Sequence, residues 1–407
     1  MLNAMAVGVK MLTLLGINKI LAVYVGPAGY AALGQFQNAV QMIITLASGG
    51  INTGVTKYTA EYHDDERKQK RVWQTAGTIA LSGSFVLSVL VLIFKADLAL
   101  WFLGDESLAS VFTWFAATLV LFVFNTLLLA ILNGKKDIHR YVVANIVGSL
   151  FALAVTAGMV IYWGLFGALV ALAVYQSLAF FVTLALCIKT PWFHWRHLLG
   201  RLDKEVAQNL AKYTAMALTS AAVVPLSHIL IRNHLGETLG WDAAGYWEAM
   251  WRLSGAYLML VTTTLSVYYL PRLSELKTRA EIKTEILAGY RVILPVAVVC
   301  SLLVYLLREP IVKILFTEDF LPMDVLFFWQ LLGDVLKIAS WIFAFVMLGK
   351  SMTVLFISTE IIFSAAFLGL TILLVGHMGL VGVSVAHAIN YALYWVVVAF
   401  LVSRKLK

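Results

Sequence analysis

The sequence predicts an all-α integral membrane protein of twelve transmembrane helices, arranged as two six-helix lobes related by a parallel repeat. Three observations predict it. The chain of 407 residues is 61% hydrophobic and only 13% charged, with a mean hydropathy of +0.87, a composition that no soluble globular domain shares. Apolar runs of about 20 residues, each long enough to cross a hydrocarbon core of about 30 Å as a helix, recur along its whole length. Finally, parts of the second half repeat the first at a fixed offset.

The expected spans are 4–24, 32–58, 72–94, 108–132, 141–162 and 165–188 in the first lobe, then 208–234, 244–270, 286–307, 325–348, 353–375 and 380–402 in the second. The lobes are residues 1–188 and 206–407, joined by a linker at 189–205. Met1 leads almost directly into the first span, so no removable signal peptide is expected. The linker, "KTPWFHWRHLLGRLDKE", alternates Trp192, Phe193 and Trp195 with His194, Arg196 and His197. That pattern suits a short helix at the headgroup level or a loop with interfacial aromatics.

The net charge of +8 is distributed by topology. One set of alternate connections holds Arg67, Lys68, Lys70 and Arg71; Lys135, Lys136 and Arg140; Lys189, Arg196, Arg201 and Lys204; Arg272, Lys277, Arg279 and Lys283; Lys350; and Arg404, Lys405 and Lys407. The opposite set has little beyond Lys95, Arg308 and Lys313. The positive-inside rule therefore puts both termini and the basic connections in the cytoplasm, and it removes nucleic acid as a partner. Cys187 and Cys300 both fall within apolar spans, which argues against disulfides and thiolate metal sites.

The repeat is clearest where "GLFGALVALAVYQSL" from Gly164 matches "GLVGVSVAHAINYAL" from Gly379, small residue on small residue. The same offset carries Trp114, Gly134 and Lys135 onto Trp329, Gly349 and Lys350. A weaker match carries Gly34 and Tyr58 onto Gly245 and Tyr269. Six helices per unit is an even number, so both units enter the membrane in the same sense and the repeat axis lies along the membrane normal.

Polar stripes run down several spans. In the eighth span Glu248 and Arg252 share one face, continued by Gly255, Met259, Thr262 and Ser266. The matching face of the second span carries Gln37, Gln41, Thr45, Ser48, Asn52 and Thr56. The tenth span offers Gln330, Asp334, Lys337 and Trp341, the seventh Arg232 and His228 around Pro225, and the eleventh Glu360. In the first span Lys10 and Lys19 fall on opposite faces, so at most one points squarely into a central cavity, with Lys19 favoured. Each ionised group near a helix centre costs about 2.5–3.5 kcal/mol to insert, which marks these residues for function.

A structural alternative is self-contained pairing of Glu248 with Arg252 and of Asp334 with Lys337. Lys57 and Arg232 have snorkelling as theirs. Pairing still leaves Lys10, Lys19, Lys57 and Arg232 against the single spare acid Glu360. A wet cavity with that surplus would attract an anion, and the arginine fork of Arg252 matches phosphate. Glu248, Asp334 and Glu360 are the acids that could bind a proton between states. No metal-ligand, Ser/His/Asp or phosphate-loop constellation is present, and His228 and His387 stand alone, so neither a cofactor nor enzyme chemistry is expected.

"GPAGYAALGQFQNAVQMIITLASGGINTGVTKYTAEYHDD" from Gly26, "SVYYLPRLSEL" from Ser266 and "FWQLLGDVLKIASW" from Phe328 resemble the bacterial Wzx flippases of the enterobacterial-common-antigen lipid III and O-antigen type. The resemblance runs through nearly the whole chain. It implies the V-shaped fold of the multidrug/oligosaccharidyl-lipid/polysaccharide (MOP) superfamily, shared with MATE transporters. It also implies outward movement of undecaprenyl-diphosphate-linked oligosaccharides across the bacterial inner membrane, with membrane lipids, a downstream polymerase and chain-length proteins as partners. The arginine of "WEAMWRLSG" is then the residue that meets the diphosphate. A drug or cation antiporter of the same superfamily is the nearest rival, for which Trp247, Trp251, Trp329 and Trp341 would form an aromatic wall. A membrane glycan polymerase or ligase is the enzyme alternative, disfavoured by the short outward connections.

Overall fold

The computed structural model describes residues 2–405 apart from 266–268, 270, 271, 274, 275, 277 and 351, with side chains described except at 2–7, 212, 213, 216, 260, 263 and 264. Ser266, Lys277 and Lys407 of the sequence reading lie outside the described residues. The described residues form helices joined by short connections: α1 (Leu2–Ala47), α2 (Asn52–Glu61), α3 (Glu66–Ile93), α4 (Lys95–Leu103), α5 (Ala109–Gly134), α6 (Ile138–Ile188), α7 (Lys204–Leu239), α8 (Trp241–Thr264), α9 (Arg279–Leu306), α10 (Arg308–Leu315), α11 (Phe327–Gly349), α12 (Thr353–Met378) and α13 (Val381–Lys405).

Eight described helical stretches are long and apolar enough to cross a membrane. Two of them, in α1 and α6, run for 40 and 51 residues, which at about 1.5 Å per residue is about twice a bilayer core. Each is two helices meeting at a non-helical glycine, Gly26 in α1 and Gly164 in α6, and so is long enough for two passes. With α7 and α8, which carry the buried Arg232 and Glu248, the architecture accommodates the twelve expected passes. The expected span 32–58 is interrupted, because α1 ends at Ala47 and the chain turns through Gly49 and Gly50, both at positive φ, before α2 begins.

The repeat is written into the backbone. Gly164 has φ 54 and ψ −133, and its sequence counterpart Gly379 has φ 60 and ψ −143, a conformation open to glycine and few other residues. Three residues on, a Cβ at Gly167 would lie 2.0 Å from the Met159 carbonyl oxygen, and one at Gly382 would lie 2.5 Å from that of Leu374. In both halves the motif therefore turns the chain and then presses the outgoing helix onto the incoming one. Valine at Gly167 or Gly382 is expected to cost about 2–3 kcal/mol by overpacking. Alanine at Gly255, where a Cβ would meet nothing within 4 Å, should cost much less. Thermal melting of the detergent-solubilised variants, followed by size-exclusion profile, checks this ordering.

The chain divides into two compact units, Met1–Val25 with Ala32–Pro225 and Gly26–Ala31 with Leu226–Lys407. In the first, α5 and α6 are locked by Asn125, which donates to Gln176 at 2.9 Å and accepts from Thr183 Oγ1 at 2.7 Å. The start of α3 is capped by Asp65, which accepts from the Lys68 amide at 3.0 Å; that hydrogen bond holds its carboxyl below the usual carboxylate range. The linker forms a single 3₁₀ turn, Trp195–His197, and not a longer interfacial helix. It is strapped along α3, where Gln74 donates to the Arg196 carbonyl at 2.8 Å and Thr78 to that of Gly200 at 2.9 Å. Those bonds satisfy backbone groups that a helix would have satisfied internally.

In the second unit α11 and α13 cross closely. A Cβ at Gly333 would lie 2.3 Å from His387 Cδ2, so only a glycine admits the imidazole there. Tyr30, from the Gly26–Ala31 segment, packs edge-on to Phe316 and Phe320 with ring centroids 5.9 and 5.1 Å away.

Candidate functional site

Two buried charge clusters occupy the second unit, and α8 contributes to both. The first begins with the turn between α7 and α8. Gly240 takes φ 94 there, and Gly236 leaves room for the Trp241 ring, which a Cβ would meet at 2.8 Å. Arg232 and Glu248 stand equally far before and after Gly240, so an antiparallel hairpin brings them level. Arg232 donates from Nε and Nη2 to Glu248 Oε2 at 2.9 and 2.7 Å. Arg252, one turn further along α8, donates from Nε to Glu248 Oε1 at 2.7 Å.

One carboxylate thus serves two guanidinium groups. The two arginines are not equivalent. Arg232 is 2% exposed and Glu248 3%, whereas the Arg252 side chain is 10% exposed. Arg232 lies over Trp247 and Arg252 over Tyr30, each with its guanidinium carbon 5.4 Å from the ring centroid, which further stabilises the cations. Arg232 anchors the carboxylate, which in turn orients Arg252. The self-contained Glu248–Arg252 pair weighed from the sequence becomes a triad, because Arg232 supplies a second partner and does not snorkel.

The second cluster surrounds Asp334 on α11. Its carboxylate accepts from Tyr257 on α8 at 2.5 Å, from His387 Nε2 on α13 at 3.0 Å and from Gln330 at 3.5 Å. Both Asp334 and His387 are fully buried. The Asp334–Lys337 pairing weighed from the sequence does not form. Lys337 instead places its ammonium 4.5 Å from the Trp251 ring centroid, 5.0 Å from Trp341 and 5.2 Å from Tyr391, and it makes no ion pair among the described residues. Such a three-ring enclosure is a recognised way of holding an ammonium. Nor does His387 stand alone, since Gly333 lets it reach Asp334. His228 is likewise enclosed, 4.4 Å from Trp251 and 5.6 Å from Trp247 between ring centroids.

Across both clusters the charges come close to balance. Arg232 and Arg252 accompany Glu248, and Lys337 accompanies Asp334 and the half-buried Glu360.

The fold around this site matches known transporters. The inward-facing conformation of a multidrug resistance MATE family transporter of the MOP superfamily superposes with a TM-score of 0.77 at 15% identity, covering 98% of this chain and 94% of that one. A MOP superfamily transporter from Pyrococcus furiosus, whose binding pocket has reverse polarity, gives 0.69 at 14% identity over 98% and 95%. By sequence, residues 1–277 match the model of the polysaccharide biosynthesis protein family. The chain belongs to that family. Within it, the lipid III flippase of Escherichia coli (strain K12) is 31% identical over 381 residues, 93% of this chain and 91% of the relative. The lipid III flippase of Shigella flexneri matches to the same extent.

The remaining site candidates of this polysaccharide biosynthesis family member lie in the first unit. Lys10 is exposed and Lys19 half-buried, and Asn18 beside it is buried. Gln37, Gln41 and Lys57 are exposed and Asn52 is half-buried; Gln41 donates to Thr45 at 3.4 Å. Lys57 stands over the Tyr58 ring at 5.4 Å. Tyr30, Tyr257 and His387 were missed by the stripe reading. Tyr257 continues a second α8 face through Trp251 and Ser254, which a period of three reveals. His387 is flagged by the small residues on either side of it, Ala386 and Ala388, and by Gly333 beside Asp334.

Proposed function

We propose that this multi-pass membrane protein is a flippase that moves an undecaprenyl-diphosphate-linked oligosaccharide, lipid III or an O-antigen unit, from the cytoplasmic to the periplasmic leaflet of the bacterial inner membrane by alternating access. The 31% identity to named lipid III flippases over 93% of the chain supports the substrate class. The observation that carries the mechanism is the triad, in which Glu248 is already doubly bonded by Arg232. Arg252 can therefore turn its outer nitrogens to a diphosphate without leaving a buried carboxylate unpaired.

On this reading Gln37, Gln41 and Asn52 hydrogen-bond the sugar, and Lys10 or Lys19, Lys57 and Lys337 add to the attraction for the head. The polyprenyl tail stays in lipid. Attraction must recruit the head yet release it, which an ion pair exchanged between Glu248 and phosphate achieves. Both termini face the cytoplasm with the basic connections, and Glu248, Asp334 and Glu360 are the acids through which proton coupling would act. A downstream polymerase and chain-length proteins would receive the product. No covalent bond is made or broken.

The test is reconstitution into proteoliposomes with lipid-linked oligosaccharide in the outer leaflet, paired with complementation of cells lacking their own flippase. Leaflet exchange and restored glycan assembly are expected. Efflux of cationic drugs without glycan transport would overturn the reading and favour the antiporter.

A further inference from the structure

Asp334 and Lys337 lie one turn apart on α11, a spacing at which opposite charges ordinarily meet. They do not meet here because three donors draw the carboxylate away: Tyr257, His387 and Gln330. Lys337 is left against three ring faces. A carboxylate can only accept, so the hydrogen shared with Asp334 sits on His387 Nε2, and the other ring nitrogen, Nδ1, is buried with no hydrogen-bond partner. It is the place in this cluster where a proton can be added without breaking a hydrogen bond.

We infer that His387 is a positioning residue for the anion site: it holds Asp334 out of contact with Lys337, and a proton taken up at Nδ1 raises the charge of the cluster by one, leaves the Lys337 charge without an offset and strengthens binding of the substrate diphosphate. The inference rests on the flippase reading of the same site.

The groups that face His387 set the terms. Asp334 and Lys337 come from α11, Trp251 from α8, Phe367 from α12, Tyr391 from α13 itself and His228 from α7, while Tyr257 bonds Asp334, Tyr394 packs on Tyr391 and Glu360 acts on Lys337. With a neutral imidazole, Asp334 offsets Lys337. With an imidazolium, Asp334 is offset by His387 and Lys337 is not. Trp251, whose ring lies against both Lys337 and His387, belongs to α8, the helix that also carries Arg252, so the added charge acts on the proposed diphosphate contact across that helix. A unit charge at that range in a protein interior changes the affinity for a diphosphate on the order of tenfold.

The test measures binding of a short-chain prenyl diphosphate to the full-length protein in detergent at about pH 5 and about pH 8, a span that reaches below the ordinary imidazole range because His387 is fully buried. The ionisation of the probe itself is common to all variants and cancels in the comparison. The ratio of affinities at the two pH values should be about tenfold larger for wild type than for His387→Gln, which keeps a donor to Asp334 but binds no proton. Asp334→Asn should bind tightly at both pH values, because Lys337 is then never offset. His228→Gln should keep the wild-type ratio.

An unchanged ratio in His387→Gln, or its loss in His228→Gln, would overturn the inference while leaving the flippase reading intact. Failure of wild type to bind the probe at either pH would overturn both. Should His387→Gln fold poorly, the Asp334→Asn comparison alone decides, since a purely structural role moves expression level and not the pH ratio.

Discussion

Arg252→Ala is expected to lower the rate of lipid-linked oligosaccharide transport about 100-fold or more while the protein still folds at close to its normal level. The two halves of that expectation come from different atoms. Glu248 loses one hydrogen bond, from Arg252 Nε, but retains both from Arg232, so no buried charge is orphaned. The diphosphate loses a fork of charge-assisted hydrogen bonds worth about 1.5–3 kcal/mol each, and two such bonds correspond to roughly two to four powers of ten. Arg252→Lys keeps the charge and loses the fork, and an intermediate loss of about tenfold is expected. Transport in proteoliposomes, with folded protein quantified by size exclusion, separates the effects. Wild-type transport by both variants would remove Arg252 from the mechanism.

How much of this was legible in the sequence depends on the range of the interaction. The passes were legible because hydropathy is local, and the repeat because Gly164 and Gly379 recur with the same neighbours and, in space, the same backbone angles. The Glu248–Arg252 contact was legible because four residues along one helix is a fixed geometry. Arg232 was visible as a costly charge but not as a partner, since its role depends on where the α7–α8 turn falls, at Gly240. The Asp334–Lys337 pair, weighed from the sequence as an alternative, does not form for the opposite reason. Local spacing favoured the pair, but an imidazole on α13 and a phenol on α8, both distant in sequence, compete for the carboxylate. Such competition is decided by helix crossings, of which the chain shows only the small residues that permit them.

Arg232→Ala is expected to have the largest effect on stability, about 3–5 kcal/mol. Arg232 is 2% exposed and makes two of the three hydrogen bonds that Glu248 receives here. Without it, Glu248 is buried with only Arg252, which the transport reading requires to leave for phosphate at each cycle. Arg232→Ala should therefore melt at lower temperature, and any protein that folds should hold prenyl diphosphate more weakly, because Arg252 becomes the only counter-charge to Glu248. Glu248→Ala fails differently, leaving two guanidinium groups close together without their carboxylate. The double variant Arg232→Met/Glu248→Met removes the inner pair, fills its volume with apolar groups and should be more stable than either alanine variant, since replacing a buried pair together is often neutral or stabilising. It removes the carboxylate that receives Arg252 Nε, so the same double variant should bind prenyl diphosphate yet transport poorly, release now lacking Glu248 to compete for the guanidinium. Thermal melting and equilibrium binding on these variants separate anchoring from recognition. If the double variant transported at the wild-type rate, exchange of Arg252 between Glu248 and phosphate would not be the step that lets the head go.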